Sequence, residues 1–444
     1  MNKPIVAIVG RPNVGKSTFF NKVAGRRLSI VKDRPGVTRD RLYADCEWNG
    51  CWFTLVDTGG LEIRSTDVMF SHIREQVLLA VDAAEVILFF TDFKAGMTSE
   101  DEEVAAMLRR QKKPVLTVVN KVDHPDDSAV AEYYALGLGE VFPVSSESGA
   151  GVAEVLDHLV GLFSARVAED ENADALKIAV VGRPNAGKSS LCNFILGYDR
   201  SIVTDIAGTT RDAIDTPFER EGKRYVLIDT AGMRRQRSVD DSVEEISVLR
   251  AQLAIRRADV CLIVIDASED VTEQDVRVAG FVHEAGKPSV VVMNKWDLVP
   301  KDTNTIYRYQ KKLEESLKFM DYFKAVYVSA KTGQRVDQLI GMCEYVYGRA
   351  STRIRTGLLN DVIHDAVAAA EPPFRKGKKL KIFYCTQVEV CPPLFALFVN
   401  DPALMHFSYK RYLENCIRKA FELDGTPIRF TLKQKNDEGG EFAP

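Results

Sequence analysis

Gly10-Arg11-Pro12-Asn13-Val14-Gly15-Lys16-Ser17 and Gly182-Arg183-Pro184-Asn185-Ala186-Gly187-Lys188-Ser189 are two copies of one motif, 172 residues apart. Each follows an apolar run, Ile5–Val9 or Ile178–Val181, and precedes a helix-like stretch. G-x-x-x-x-G-K-S between a strand and a helix reads as a phosphate-binding loop. Its glycines (Gly10 and Gly15, Gly182 and Gly187) let consecutive backbone N–H groups face a chain of phosphates. Lys16 and Lys188 reach the terminal phosphates. Ser17 and Ser189 offer hydroxyls to Mg²⁺, and the neighbouring Thr18 and Ser190 are counted with the nucleotide-binding residues. One such loop could be a chance glycine-rich turn; two nearly identical ones in a single chain could not.

The repeat extends outward from these loops. Gly36-Val37-Thr38-Arg39-Asp40 matches Gly208-Thr209-Thr210-Arg211-Asp212, and Asp57-Thr58-Gly59-Gly60 matches Asp229-Thr230-Ala231-Gly232, all at an offset of 172. Asn120-Lys121-Val122-Asp123 then matches Asn294-Lys295-Trp296-Asp297 at 174, so two residues are inserted in between, near the arginine-rich Met233–Arg237, which is expected to be a mobile loop. Strand-like runs alternate with helix-length segments in both copies: Phe53–Val56, Val86–Phe90 and Val115–Val119, then Tyr225–Ile228, Val260–Ile265 and Ser289–Met293. That alternation predicts an α/β fold, two tandem domains each with a mostly parallel sheet and helices on both faces. Ligands then lie at the C-terminal ends of the strands. The domains are expected at 1–163 and 176–349, joined by a small, acidic linker at 164–175. A third, α+β domain at 350–436 and a disordered tail at 437–444 complete the chain.

The phosphate loop does not choose between adenine and guanine; the N-K-x-D segments do. The carboxylates of Asp123 and Asp297 can accept from guanine N1–H and the 2-amino group, and adenine offers neither donor there. Asn120 and Asn294 can approach the far edge of the purine or tie their loop to the phosphate loop, and the stems of Lys121 and Lys295 can cover the base. Downstream, Ser145 in Val144-Ser145-Ser146-Glu147 and the run Ser329-Ala330-Lys331 stand where a backbone N–H would meet guanine O6. The first copy departs from S-A-K at Ser146 and Glu147. Asp57 and Asp229 can hold Mg²⁺ through water, and Gly60 and Gly232 let the backbone approach the γ-phosphate. Thr38 and Thr210 are the candidates to close the metal shell.

Where many GTPases place a water-orienting Gln after D-x-x-G, this chain has Leu61 and Met233. Another source of charge stabilisation is then needed. The amide oxygens of Asn13 and Asn185 can coordinate K⁺ beside the phosphates; the alternative is that they only brace the loop.

With 27% charged and 45% hydrophobic residues the composition is that of a globular protein. No apolar run approaches the ~20 residues that cross a bilayer, and no secretory leader is evident at the start, so a cytoplasmic location is expected. The eight cysteines form no C-x-x-C pair and the six histidines are dispersed, which suits free thiols and no zinc site. Charge is uneven: residues 351–435 carry 14 Lys and Arg against 8 Asp and Glu, whereas residues 1–350 net −7. A basic module on an acidic body suits a polyanionic partner, or is simply a solvated basic face.

Taken together, these motifs resemble the Der (EngA) family of bacterial GTPases: two G domains and a small KH-like domain. The C-terminal segment shares the resemblance through Pro372-Pro373, Gly377–Ile382, Phe398-Val399-Asn400 and His406–Asn415. The resemblance implies binding of GTP and GDP with Mg²⁺, hydrolysis stimulated by K⁺, and action in assembly of the large ribosomal subunit; a monomer is expected. No G-x-x-G occurs between Ser351 and Lys435, so contact with folded rRNA or protein is expected rather than a single-strand clamp. Most of the aromatics there (Phe383, Tyr384, Phe395, Phe398, Phe407, Tyr409, Tyr412) are expected in the core. Two other functions compete. One is a nucleotide-gated scaffold or sensor on RNA with incidental turnover. The other is a tRNA-modification or ion-transport GTPase, disfavoured by the lack of a cofactor motif and of a membrane span.

Overall fold

The computed structural model describes residues 3–25, 43–58, 78–111, 113–122, 128–167, 174–197, 201–203, 215–229, 244–372, 374–375 and 378–434. It has two compact units, one built mainly on residues 2–173 and the other mainly on 174–444. Thr38, Gly60, Leu61, Asp123, Thr210, Gly232, Met233, the arginines 234, 235 and 237, and the tail 437–444 lie outside the described residues.

In the first unit six strands form one sheet: β1 (Ile5–Val9), β2 (Tyr43–Trp48), β3 (Cys51–Asp57), β4 (Val86–Asp92), β5 (Val115–Asn120) and β6 (Val141–Val144), in the order β2-β3-β1-β4-β5-β6. All pairings are parallel except the β2–β3 hairpin. Helices α1 (Lys16–Gly25), α2 (Ser99–Leu108) and α3 (Val152–Val167) belong to the same unit. A strand covered on both faces has no polar side to alternate with, and all seven residues of β4 are buried. The apolar positions sort into two clusters. One holds Ala7, Val9, Ile87 and Phe89; the other holds Val6, Ile8, Leu88, Phe90, Phe19 of α1 and Leu159 of α3.

Helix α3 runs to Val167, four residues into the stretch read as linker. The reason is local: Ser164-Ala165-Arg166-Val167 contains no Gly or Pro to stop a helix.

The second unit repeats the plan in a seven-stranded sheet: β7 (Leu176–Val181), β8 (Ser201–Val203), β9 (Thr216–Arg220), β10 (Lys223–Ile228), β11 (Val260–Asp266), β12 (Ser289–Asn294) and β13 (Lys324–Tyr327), ordered β13-β12-β11-β7-β10-β9-β8. Its helices include α4 (Lys188–Leu196), the last four residues of α5 (Glu244–Arg257, whose residues up to Leu253 belong to the first unit), α6 (Glu273–Ala285), α7 (Thr305–Ser316) and α8 (Gln338–Ala350). The third domain follows: α9 (Thr356–Ala369), the short hairpin β14 (Phe374–Arg375) and β15 (Lys378–Lys379), then β16 (Ile382–Glu389), β17 (Leu394–Val399), α10 (Phe407–Phe421) and β18 (Arg429–Gln434). In its three-stranded sheet β16 is antiparallel and β18 parallel to β17. Leu359, Ile363, Phe395, Leu397, Leu413 and Ile417 form its core. Phe395 and Tyr409 are buried, whereas Phe383 is 47% and Phe407 76% exposed, so the aromatics divide between core and surface. All eight cysteines are free thiols. Among the described residues no helix is long and apolar enough to cross a membrane.

Candidate nucleotide-binding sites

Each phosphate loop leaves the end of a central strand, β1 or β7, and turns into α1 or α4. Asn13 and Asn185 hold positive φ, 64° and 61°, and their side chains are exposed. Gly15 and Gly187 lie at φ 95° and 94°. A Cβ there would stand 2.1 Å from Asn120 Nδ2 and 2.2 Å from Asn294 Nδ2. The motif therefore needs glycine for closeness as well as for backbone freedom.

Lys16 Nζ donates to the carbonyls of Gly10 (2.7 Å) and Arg11 (2.6 Å). Lys188 repeats this on Gly182 (2.8 Å) and Arg183 (2.7 Å). Burial disfavours the ammonium and lowers each lysine's pKa to about 8. A phosphate chain would restore the missing counter-charge, so both amines are poised to gain from an anion. Ser17 Oγ donates to Asp57 Oδ2 at 2.7 Å, which brings together two hard oxygen ligands next to the phosphate loop, the donor set that suits Mg²⁺. Ser189 and Asp229 occupy the same places in the repeat. The Asp229 N–H donates to Asp215 Oδ1 at 3.0 Å, and Arg257 in turn pairs with Asp215. Thr18 and Ser190 are exposed on the first turns of α1 and α4.

Of the two roles open to Asn120 and Asn294, the structure assigns the tie between loops. Asn120 Nδ2 donates to Val14 O (2.7 Å), and its Oδ1 accepts from Ser146 N (2.9 Å). Asn294 does the same with Ala186 O (2.9 Å) and Ala330 N (3.0 Å). One carboxamide thus joins the phosphate loop, the N-K-x-D loop and the loop before the last helix. Because the last bond uses a backbone N–H, Ser146 in place of alanine leaves it intact.

Lys121 and Lys295 have φ of 66° and 60°. Their amines pair with Asp92 (2.6 Å) and Asp266 (2.5 Å), and Lys121 also reaches Asn13 O at 2.9 Å. Burial opposes charge on Asp92 and Asp266, but the lysine partners outweigh it and hold both carboxyls below the usual range. These aspartates end β4 and β11, and sequence reasoning missed them; the signal was an Asp at the end of a long, mostly apolar strand in both copies. It also missed Asp101 and Asp275. Each closes a capping box with Thr98 or Thr272 and meets the phosphate-loop arginine: Asp101 Oδ2 accepts from Arg11 Nε at 3.3 Å, and Asp275 Oδ1 forms an ion pair with Arg183 Nε at 3.5 Å. T-x-x-D before a helix was the readable sign.

Asp297 supplies a direct test for a purine. The Ser329 hydroxyl hydrogen-bonds its carboxylate and holds the pKa below the ordinary value. Its Oδ1 is covered from solvent and meets no hydrogen-bond partner among the described residues. An acceptor left so needs a donor, and guanine N1–H or its 2-amino group is one.

Comparison with known proteins agrees with this geometry. Residues 5–121 and 177–295 match a family described as 50S ribosome-binding GTPase, and residues 353–433 match the KH-domain-like C-terminal domain of EngA bacterial GTPase enzymes. The chain is 52% identical over 440 residues to GTPase Der of Ruminiclostridium cellulolyticum, covering 99% of this chain and 100% of that one. With GTPase Der of Pelotomaculum thermopropionicum the identity is 53% over 439 residues, again 99% of this chain and 100% of the relative.

Proposed function

The chain belongs to the GTPase Der (EngA) family, and from that premise we propose that it is a cytoplasmic, GTP-hydrolysing switch in the assembly of the large ribosomal subunit. The observation that carries the nucleotide half of this reading is the pair of carboxamide ties at Asn120 and Asn294. They lock a phosphate loop to a guanine-reading loop in both repeats. The family described as ribosome-binding supports the other half.

In this reading Lys16 and Lys188 neutralise the β- and γ-phosphates, and the N–H groups of the phosphate loops hold them in line. Asp123 and Asp297 select guanine. Ser17 with Asp57, and Ser189 with Asp229, would hold Mg²⁺, which would offset negative charge on the phosphates. Thr38 and Thr210 would complete the ligands of that ion, the N–H groups of Gly60 and Gly232 would meet the γ-phosphate, and hydrolysis would release these contacts. Asn13 and Asn185 would hold K⁺, which would supply positive charge beside the phosphates. The protein acts as a monomer, with rRNA and ribosomal proteins meeting the basic third domain.

The test is co-sedimentation of the full chain with large ribosomal subunits in the presence of a non-hydrolysable GTP analogue, GDP or ATP. Binding that follows the GTP analogue and is weak with GDP is the expected result. Equal association in all three states would leave a nucleotide-independent RNA scaffold, the competing reading that Leu61 and Met233 favour.

A further inference from the structure

The two repeats differ at the foot of the sheet, the end away from the phosphate loops. In the second G domain that foot is covered by a turn of the third domain. Ser289 N donates to Gly425 O (2.8 Å), Gly425 N donates to Tyr322 O (2.7 Å), and Thr426 Oγ1 donates to Val346 O (3.3 Å). Lys324 pairs with Asp424 at 2.8 Å. Gly425 has φ 65°, and a Cβ on it would stand 2.3 Å from Val346 Cγ1, so this close approach is open to glycine alone.

The repeat lets the first G domain be read against this dock position by position. The strand register Thr117↔Val141 corresponds to Val291↔Ala325, which aligns Val115 with Ser289, Leu138 with Tyr322 and Glu140 with Lys324. The bonds Ser146–Asn120 and Ala330–Asn294 carry the alignment into the last helix, where Leu162 stands for Val346. In the first domain these same four positions line a cavity of about 410 Å³, with Arg109, His158 and Lys113 beside them, the Lys113 amine donating to the carbonyls of Val81 and Asp82. Val115, Leu138 and Leu162 are half-buried, whereas Ser289, Tyr322 and Val346 are buried beneath the third domain.

We propose that this cavity docks a glycine turn of a basic partner protein, bound as Asp424-Gly425-Thr426 is bound in the second domain but with lysine or arginine in place of Asp424. The repeat supplies the mode of binding, and charge supplies the partner. Glu140, which faces His158 at 3.2 Å, replaces Lys324 and reverses the charge that the turn meets. The chain's own turn is the wrong occupant, because Asp424 would face Glu140. A second copy of this chain is thereby disfavoured.

The test titrates the full chain, whose second dock already holds its own turn, with two cyclised peptides. One has the sequence of residues 421–430; the other has lysine at the place of Asp424. Fluorescence anisotropy should show the lysine peptide binding about tenfold tighter. Glu140→Lys should reverse the order, and Leu162→Trp, which fills the cavity, should abolish binding of both with GTP affinity unchanged. Absence of binding by either peptide, equal affinity for the two, or no response to Glu140→Lys would overturn the proposal. So would an RNA oligonucleotide that binds the parent and is lost in Leu162→Trp while the peptides never bind.

Discussion

At the scale of single residues, each site depends on a few atoms whose roles do not overlap. Asn294→Ala removes two buried hydrogen bonds and strands Ala186 O and Ala330 N. A loss of about 1–3 kcal/mol of stability is expected, with GTP affinity at that site reduced at least ~10-fold. Chemical denaturation and nucleotide titration check both. Asp297→Asn should move the second site's preference from guanosine to xanthosine triphosphate, because the amide N–H then donates to the 2-oxo group of xanthine where the carboxylate accepted from the 2-amino group of guanine. Unchanged preference would remove Asp297 Oδ1 as the base reader. Asn13→Ala and Asn185→Ala bear on the cation. If each amide oxygen holds K⁺, the variants should lose kcat and the K⁺ response while retaining most nucleotide affinity, since the charge is needed chiefly in the transition state. Equal parent rates in KCl and NaCl at one ionic strength would end that reading.

At the scale of elements, the loops act because rigid strand ends carry them. β4 and β11 deliver Asp92 and Asp266 to the N-K-x-D lysines, and α2 and α6 present capping aspartates to the phosphate-loop arginines. Helix α6 also ends in a titratable contact. His283 Nδ1 lies 2.8 Å from Tyr322 Oη, with the Phe319 ring 5.5 Å away. Burial, reinforced by Arg429 and Arg418 and only partly offset by Asp321, lowers its pKa to about 4 from 6.5. Between those values the unfolded chain holds the proton and the folded chain does not. Stability should therefore fall as pH drops from 6.5 towards 4, by about 2–3 kcal/mol from this group. Thermal unfolding at pH 7.5 and pH 5 reads it, and His283→Phe should flatten the dependence over that window. An identical slope in parent and variant would place the acid sensitivity elsewhere.

At the scale of the second unit, the third domain is held against the second G domain by backbone bonds as well as ion pairs. Arg349 pairs with Glu422 at 2.7 Å, and Arg411 donates to Lys318 O at 2.7 Å. The Arg418 guanidinium lies 4.7 Å from the centre of the Tyr322 ring. These contacts gather at the foot of the sheet, whereas Asn294 and the phosphate loop are at its other end. The arginine-rich route from the γ-phosphate through residues 234–237 falls outside the described residues. Gly425→Val should therefore loosen the third domain without touching the nucleotide, seen as new protease cleavage between residues 349 and 356 with GTP affinity retained. Lys378 and Lys381 are exposed, and Lys379 pairs with Glu371. Replacing all three lysines with Glu should weaken ribosomal-subunit binding and flatten its salt dependence, with GTP affinity intact. Undiminished sedimentation would move the RNA contact off this surface.

Much of this protein was legible in its sequence because its determinants are local. A phosphate loop needs glycine and lysine at set spacing, a strand covered on both faces needs an unbroken apolar run, and a duplicated chain declares each motif twice. Gly15, Lys16, Asn294 and Asp297 were readable for that reason. What only the tertiary structure decided depends on which distant segments meet. The choice between two roles for Asn120, the pairing of Asp92 with Lys121, and the grip of Asp101 on Arg11 each join segments far apart in the chain. The same holds for the foot of each sheet. Lys324 against Asp424, and Glu140 at the mouth of a cavity, are ordinary surface charges in the sequence. They acquire opposite meanings only when the fold covers one foot with the third domain and leaves a cavity lined by the first domain's own residues at the other.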